Sequence, residues 1–232
     1  MAQSKNSFIV TIDGPAGAGK TTIARDLAQR LGFCLLDSGA LYRTMALALI
    51  RAGVKPEDQS APEDLLESIT ISVEPDTSGM RLMLKDEDVS SIIRSEEVGN
   101  AASRFSARPE VRKALLGIQR AVARKCDLVA EGRDMGGVVF PFAQAKFFLT
   151  ADPEERAKRR YCELMAKGEK PFYSQVLSDL VARDQRDESR ALAPMIPAKD
   201  ATIIDTTTLT PKDVTEIILE RIGVIAETAF KL

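Results

Sequence analysis

Alternating short apolar strands and amphipathic helices predict an α/β chain built on a parallel sheet with helices on both faces. Three observations carry that prediction. Apolar runs of three to five residues recur along the chain, helical runs with apolar side chains three and four apart fall between them, and a glycine-rich turn joins the first strand to the first helix.

Phe8-Ile9-Val10-Thr11-Ile12 is a nearly continuous apolar run ending at Gly14, as a buried parallel strand reads. Ile23, Leu27 and Leu31 then fall four apart, and Gly32 stops that helix. Cys34-Leu35-Leu36 reads as a second strand and Leu41 to Ile50 as a second helix. Pro109 opens a helix that carries Val111, Leu115, Ile118 and Val122 on one face. Leu128-Val129-Ala130 and Ala145-Lys146-Phe147-Phe148-Leu149 are strand-like. Asp152-Pro153-Glu154-Glu155 has the form of a capped helix start with proline at the first helical position. Thr202-Ile203-Ile204 is a last short strand, and Thr210-Pro211 begins a last helix.

Two segments break this rhythm. Between about Glu57 and Ser95, Ile69 to Val73 and Arg81 to Leu84 flank the turn-rich Pro75-Asp76-Thr77-Ser78-Gly79, which reads as an inserted antiparallel hairpin. Arg156 to Arg190 is dense in charge and reads as an exposed helical excursion. A single domain with two appendages is the simplest parse of residues 1–232.

Composition narrows the chemistry. Lys plus Arg is 32 against 34 Asp plus Glu, a net charge of −2, so there is no electrostatic footprint for nucleic acid or a membrane surface. No apolar run approaches a membrane span, and Met1-Ala2-Gln3-Ser4-Lys5-Asn6 leads into no signal-peptide core. Cys34, Cys126 and Cys162 are odd in number and widely spaced, which suggests neither a disulfide framework nor a zinc site but small buried side chains in a reducing, cytoplasmic setting. The chain contains no histidine, which excludes Ser-His-Asp and Cys-His hydrolases, His-ligated metals and histidine general bases.

Gly14-Pro15-Ala16-Gly17-Ala18-Gly19-Lys20-Thr21 matches the phosphate-binding pattern G-x-x-x-x-G-K-[ST] and sits where that pattern must, between a strand and a helix. Its glycines let successive N–H groups converge on phosphate oxygens, and the helix N-terminus adds partial positive charge. Lys20 would reach the β- and γ-phosphates, and the Thr21 hydroxyl would take a position on Mg²⁺. This is an ATP or GTP site, with Thr22 following in the first helical turn. No Asn-Lys dipeptide is present to read guanine, and no Ser-Gly-Gly signature of a transporter ATPase.

Arginine is placed where small phosphorylated ligands would meet it. Arg43 opens the second helix, Arg112 lies near the start of the Pro109 helix, and Arg133 follows the strand that ends at Glu131. Ligands of open α/β sheets bind at the carboxyl ends of strands, which favours a functional Arg133. Arg156, Arg159 and Arg160 recur at helical spacing, followed by Arg183, Arg186 and Arg190. Glu155 and Glu163 stand four residues from Arg159, so that helix reads equally as a phosphate clamp or a solvated face. Glu131 is an acidic candidate for the metal shell, or alternatively a capping or arginine-pairing carboxylate. Tyr42 and Phe105 suit either the core or a base-stacking platform.

Longer blocks carry a resemblance. Asp13 to Lys20, Leu36-Asp37-Ser38-Gly39-Ala40-Leu41-Tyr42-Arg43, Glu131-Gly132-Arg133-Asp134-Met135-Gly136, Val138-Val139-Phe140-Pro141, Arg183-Asp184-Gln185-Arg186-Asp187 and the stretch from Ala193-Pro194 to Asp200-Ala201 resemble the bacterial cytidylate kinases. Gly137 stands where that family would carry Thr, and Phe142 where Asp is usual; both flank the site without supplying its charges. The resemblance implies a P-loop nucleoside-monophosphate-kinase fold, with a five-stranded parallel sheet flanked by helices, an inserted antiparallel β element and a helical lid. In these terms the core is 7–56, 96–150 and 191–232, the monophosphate-binding insert about 57–95 and the lid about 152–190.

The same resemblance implies transfer of the ATP γ-phosphoryl group to CMP or dCMP; Mg²⁺ follows from the phosphate loop, and a cytoplasmic monomer is the default expectation. It assigns cytosine to Ser103, Arg112 and Asp134, the sugar to Ser38, Arg183 and Asp187, and the acceptor phosphate to Arg43, Arg133 and Arg190, with Tyr42 beside them. Lys20, Arg133 and the lid arginines Arg156, Arg159 and Arg160 would stabilise the transferring phosphoryl group. A phosphate oxygen already ionised at neutral pH needs no general base, which fits the missing histidine. The readings held against this are a P-loop kinase for UMP, AMP or shikimate, a non-transferring nucleotide switch, and a nucleic-acid-dependent ATPase. The Ser103, Arg112 and Asp134 set, the absent guanine motif and the acidic balance weigh against them in that order.

Overall fold

The computed structural model describes residues 7–58, 60–75, 77 and 79–229. Met1 to Asn6, and Asp76 and Ser78 of the expected hairpin turn, lie outside the described residues. In chain order, β1 is Ile9–Asp13, α1 Lys20–Leu31, β2 Cys34–Asp37 and α2 Ser38–Arg51. There follow α3 Glu63–Ser68, β3 Ile71–Pro75, β4 Met80–Leu84, β5 Glu87–Asp88 and a 3-10 turn at Ile92–Arg94. Next come α4 Glu96–Phe105, α5 Pro109–Val122, β6 Leu128–Gly132, a π-helical turn at Met135–Val139 and β7 Ala145–Thr150. The chain ends with α6 Pro153–Ala166, α7 Tyr173–Glu188, β8 Thr202–Asp205 and α8 Pro211–Ala229.

The expected parallel sheet is present, with five strands in the order β2-β6-β1-β7-β8. All five residues of β1 and all five of β6 are buried, which is why both read as continuous apolar runs rather than alternating ones. The expected hairpin is also present as β3 and β4, paired antiparallel from Ile71↔Leu84 to Pro75↔Met80. A third strand, β5, extends it through Met83↔Asp88 and Leu84↔Glu87. Two exposed acidic residues carry no apolar alternation, so β5 left no pattern in the sequence.

Two compact units divide the chain: Ala28–Glu131 with the residues up to Ile9, and Val10–Leu27 with Gly132 onward. In the first, α2 packs on α4, α5 and β4, and α3 packs on α5. Helix α2 begins at Ser38, three residues before the apolar pattern does, because Asp37 caps it: its Oδ1 accepts from the Ala40 N–H at 2.8 Å. Phe105 is fully buried with the Arg108 guanidinium 4.6 Å from its ring centre, so it is a core aromatic rather than a base platform.

The cysteines depart from expectation. Cys34 and Cys126 form a disulfide across 92 residues, while Cys162 is free and exposed rather than a buried small side chain. Register explains the pairing. Cys34 faces Leu128 across the parallel β2–β6 ladder, and its N–H bonds the Asp127 carbonyl at 2.9 Å, which draws Cys126 alongside.

In the second unit, the charged excursion is two helices with a small core of their own. Ala157 and Leu164 on α6 meet Val176 and Leu180 on α7, and Ala16 of the glycine-rich turn packs against that seam. The segment is therefore less exposed than its charge suggests: Arg156, Asp184 and Asp187 are all buried.

Candidate active site

The glycine-rich turn runs from the end of β1 into α1, and its backbone explains its composition. Gly14 has φ +142°, and a Cβ there would lie 2.0 Å from the Leu149 carbonyl oxygen of β7. Gly17 has φ +77°, and a Cβ there would meet Cβ of Arg156 at 2.9 Å. Only glycine fits either place, both for conformation and for room.

Three carbonyls of this loop, those of Pro15, Ala16 and Ala18, are tied down by side chains. Lys20 Nζ donates to the Pro15 oxygen at 2.7 Å, Arg156 Nη1 to the Ala16 oxygen at 3.1 Å and Thr206 Oγ1 to the Ala18 oxygen at 3.2 Å. The Gly19 oxygen accepts the Ile23 N–H at 3.1 Å inside α1. With these acceptors engaged, the amide hydrogens of the turn and the α1 N-terminus are the groups left to meet an anion. Lys20 is buried against the loop it serves, and Thr21 and Thr22 are exposed in the first turn of α1.

The three arginines of α6 have distinct surroundings. Arg156 is buried, donating Nε to the Ala151 oxygen at 2.9 Å and pairing with Asp184 of α7. Arg159 donates to the Thr206 oxygen at 2.6 Å and bonds Glu155 Oε1 at 3.2 Å. Arg160 makes a surface pair with Glu163 at 3.3 Å. Arg160 makes the weak surface pair expected of a solvated face, while Arg156 bonds the Ala16 carbonyl of the glycine-rich turn.

Beyond β6, Arg133, Asp187 and Arg190 come together. Asp187 is buried, its Oδ2 accepting from Arg133 Nε at 3.0 Å and its Oδ1 from Arg190 Nη2. Each oxygen of this buried carboxylate thus has an arginine on one of its acceptor positions. Asp134 is buried at the entrance to the π-helical turn, and Arg183 lies one turn before Asp187 on α7.

The remaining candidates stand on the first unit. Ser38 is buried at the start of α2. Arg43 pairs with Asp37 at 3.2 Å, so one carboxylate both caps α2 and holds the arginine. Gly39 leaves room for this pair, since a Cβ there would lie 3.2 Å from Arg43 Nη1. Tyr42 is buried beneath Arg112, whose guanidinium stands 5.6 Å from the ring centre and donates to the Ser106 oxygen at 3.2 Å. The Ser103 hydroxyl is buried and makes no hydrogen bond among the described residues. Such a group is costly unless a ligand satisfies it. Asp37 and Glu131 face each other in the β2–β6 register, placing two carboxylates at the carboxyl ends of neighbouring strands.

Two features were not anticipated from sequence. Asp13, at the end of β1, is buried and accepts the N–H groups of Met135 and Gly136, both at 2.8 Å. Burial pushes its carboxyl up to about 6, against the pull of those two donors. Its sequence signal was a lone acid closing an apolar strand. The second is a cleft of about 620 Å³ at the ends of β7 and β8, lined by Thr150 to Asp152 and by Asp205, Thr207, Thr208 and Leu209.

A phosphate nest beside converging arginines, with no histidine, describes a phosphoryl-transfer site. The comparison that decides which kind is a match of residues 10–223 to the cytidylate kinase family model. The chain belongs to the cytidylate kinase family. Among its relatives, the cytidylate kinase of Shewanella pealeana is 48% identical over 221 residues, covering 94% of this chain and 96% of that protein. The cytidylate kinases of Vibrio cholerae and Pasteurella multocida are 48% and 47% identical over 219 and 209 residues; each alignment covers at least 90% of both chains. Family membership takes in the glycine-rich turn, the insert and the paired helices alike, since the match runs through all three.

Proposed function

We infer that the chain transfers the γ-phosphoryl group of ATP to CMP or dCMP, giving the diphosphate and ADP. The observation that carries this reading is the cytidylate kinase family match, which extends over residues 10–223 and so includes every residue assigned below.

Lys20 and the amides of the glycine-rich turn hold the donor phosphates, and the cleft beside Thr206 offers room for the rest of the donor. Arg43, Arg133 and Arg190 hold the acceptor phosphate; Ser38, Arg183 and Asp187 hold its sugar. Ser103, Arg112 and Asp134 read cytosine, with Tyr42 supporting Arg112. Cytosine presents an amino donor and two acceptors, which suits a hydroxyl or carboxylate beside an arginine. Uracil reverses part of that pattern and leaves buried partners unpaired. The insert of about 57–95 would serve the acceptor side, and the segment of about 152–190 would act as a lid that excludes water.

The chemistry needs no proton acceptor of its own, because the attacking phosphate oxygen is ionised at neutral pH. What the side chains supply is position and charge: Lys20, Arg133 and lid residues Arg156, Arg159 and Arg160 hold two anions in line and neutralise the charge that spreads between them. Among the described residues no cluster of three or more His, Cys, Asp or Glu could hold a metal. The residues assigned to the ion are Thr21 and Glu131, one hydroxyl and one carboxylate. That set suits Mg²⁺, which keeps several waters and takes phosphate oxygens as ligands. When bound, the ion would supply positive charge to the donor phosphates. No described helix is long and apolar enough to cross a membrane. A cytoplasmic monomer acting on free nucleotides completes the proposal.

The test is ADP release from Mg-ATP with CMP, dCMP, UMP, AMP and GMP in turn. Rapid turnover with CMP and dCMP, with UMP well behind, is the expected result. Preference for AMP, GMP or UMP would overturn the acceptor assignment.

A further inference from the structure

We propose that Asp13 is a positioning residue for acceptor recognition: its carboxylate clamps the turn that follows Arg133 and Asp134 onto the strand leading into the phosphate loop. The inference rests on the reading of Arg133 and Asp134 as acceptor-binding groups and adds to it a residue that does not itself touch substrate.

The geometry is that of a two-pronged acceptor. Asp13 Oδ1 takes the Met135 N–H and Oδ2 the Gly136 N–H, each at 2.8 Å. These amides open the π-helical turn, where helical N–H groups lack intrahelical partners. The amides further along are already served: Val138 and Val139 bond the Asp134 oxygen at 2.9 and 3.2 Å, and Phe140 bonds the Met135 oxygen at 2.7 Å. Only a carboxylate suits both prongs, since asparagine would present its own amide hydrogens to the second N–H.

Close packing seals the clamp. A Cβ on Gly136 would lie 2.7 Å from Thr11 Oγ1 and 3.4 Å from Asp13 Oδ2, so the turn rests flush on β1. Lys146 does not neutralise the carboxylate; its Nζ is committed to the Pro141 oxygen at 2.6 Å and to Asp200. The charge of Lys20 eases the burial of this carboxylate, and its two hydrogen bonds hold the position of the turn. Asp13 directly precedes Gly14, and Asp134 directly precedes Met135. One side chain therefore ties the strand leading into the phosphate loop to the turn that follows Arg133 and Asp134.

The experiment compares Asp13→Asn, Asp13→Ala and Gly136→Ala with the unaltered chain in steady-state ADP release, with ATP affinity measured separately by calorimetry without acceptor. Loosening the turn should raise the KM for CMP about tenfold or more, as misplacement of a binding group by an ångström does. The Kd for ATP should change less than the KM for CMP, because Asp13 acts on the donor side only through the charge of Lys20. CMP-over-UMP discrimination should fall in parallel, and Asp13→Asn, which keeps one prong, should lie between wild type and Asp13→Ala. Gly136→Ala should reproduce the CMP defect with the carboxylate intact. Unchanged CMP kinetics, or equal loss of ATP and CMP affinity, would overturn the proposal. Failure of the unaltered chain to phosphorylate CMP would instead remove the acceptor reading on which it rests.

Discussion

Lys20, proposed to hold the donor phosphates, also has a partner within its own loop. Its ammonium lies 2.7 Å from the Pro15 carbonyl, a placement that keeps a buried cation partnered within the loop. Lys20→Ala should leave a folded protein whose ADP release with CMP falls by about a hundredfold or more, the scale of losing one group that stabilises transition-state charge. Near-normal turnover would exclude Lys20 from phosphate binding. Asp13 yields a prediction of a different kind. Its folded value of about 6 lies above the ordinary 3.8, so between those values the folded chain holds more protons than the unfolded one. Asp13 therefore stabilises less as pH rises through that window, by on the order of 3 kcal/mol. The melting-temperature advantage of wild type over Asp13→Asn should shrink from pH 4 to pH 7. A constant gap would mean that Asp13 titrates at its ordinary value.

At the scale of elements, α7 matters for what it pins. Through Asp187 it holds Arg133, which follows β6, and Arg190 just beyond its own end. Asp187→Ala leaves two arginines without their buried counter-charge, a change that costs about 3 kcal/mol. For a chain of this size that is roughly 10 °C in melting temperature. CMP and dCMP should both lose affinity, since the loss does not depend on the 2′-hydroxyl; a defect confined to CMP would point to a direct sugar contact alone. The sequence made the elements legible where a local rule governs them. The glycine-rich turn stood out because converging amides demand fixed spacing, and α6 because Asp152 and Pro153 mark its start. Partnerships were illegible where the partners lie far apart in the chain: 28 residues between Arg156 and Asp184, 54 between Arg133 and Asp187, 47 between Arg159 and Thr206. Arginine spacing therefore announced a cluster without saying which carboxylate or carbonyl would hold each member. Asp37 was missed for another reason: the apolar pattern starts at Leu41, while the cap that begins α2 and holds Arg43 lies before it.

At the scale of the whole molecule, two features set its response to conditions. The Cys34–Cys126 bond ties residues 92 apart, so thiol titration of the native chain under non-reducing conditions should find one reactive group, Cys162, and three after reduction. Three from the outset would mean that the pair stands reduced. The second feature is the phosphate loop with three of its carbonyls engaged by Lys20, Arg156 and Thr206. A peptide plane whose oxygen is already bonded loses that bond if it flips, so the loop has little reason to invert and offer oxygens to a passing cation. Its sign is built in before any nucleotide arrives. If the turn holds the donor phosphates as proposed, its amides stand oriented for them beforehand.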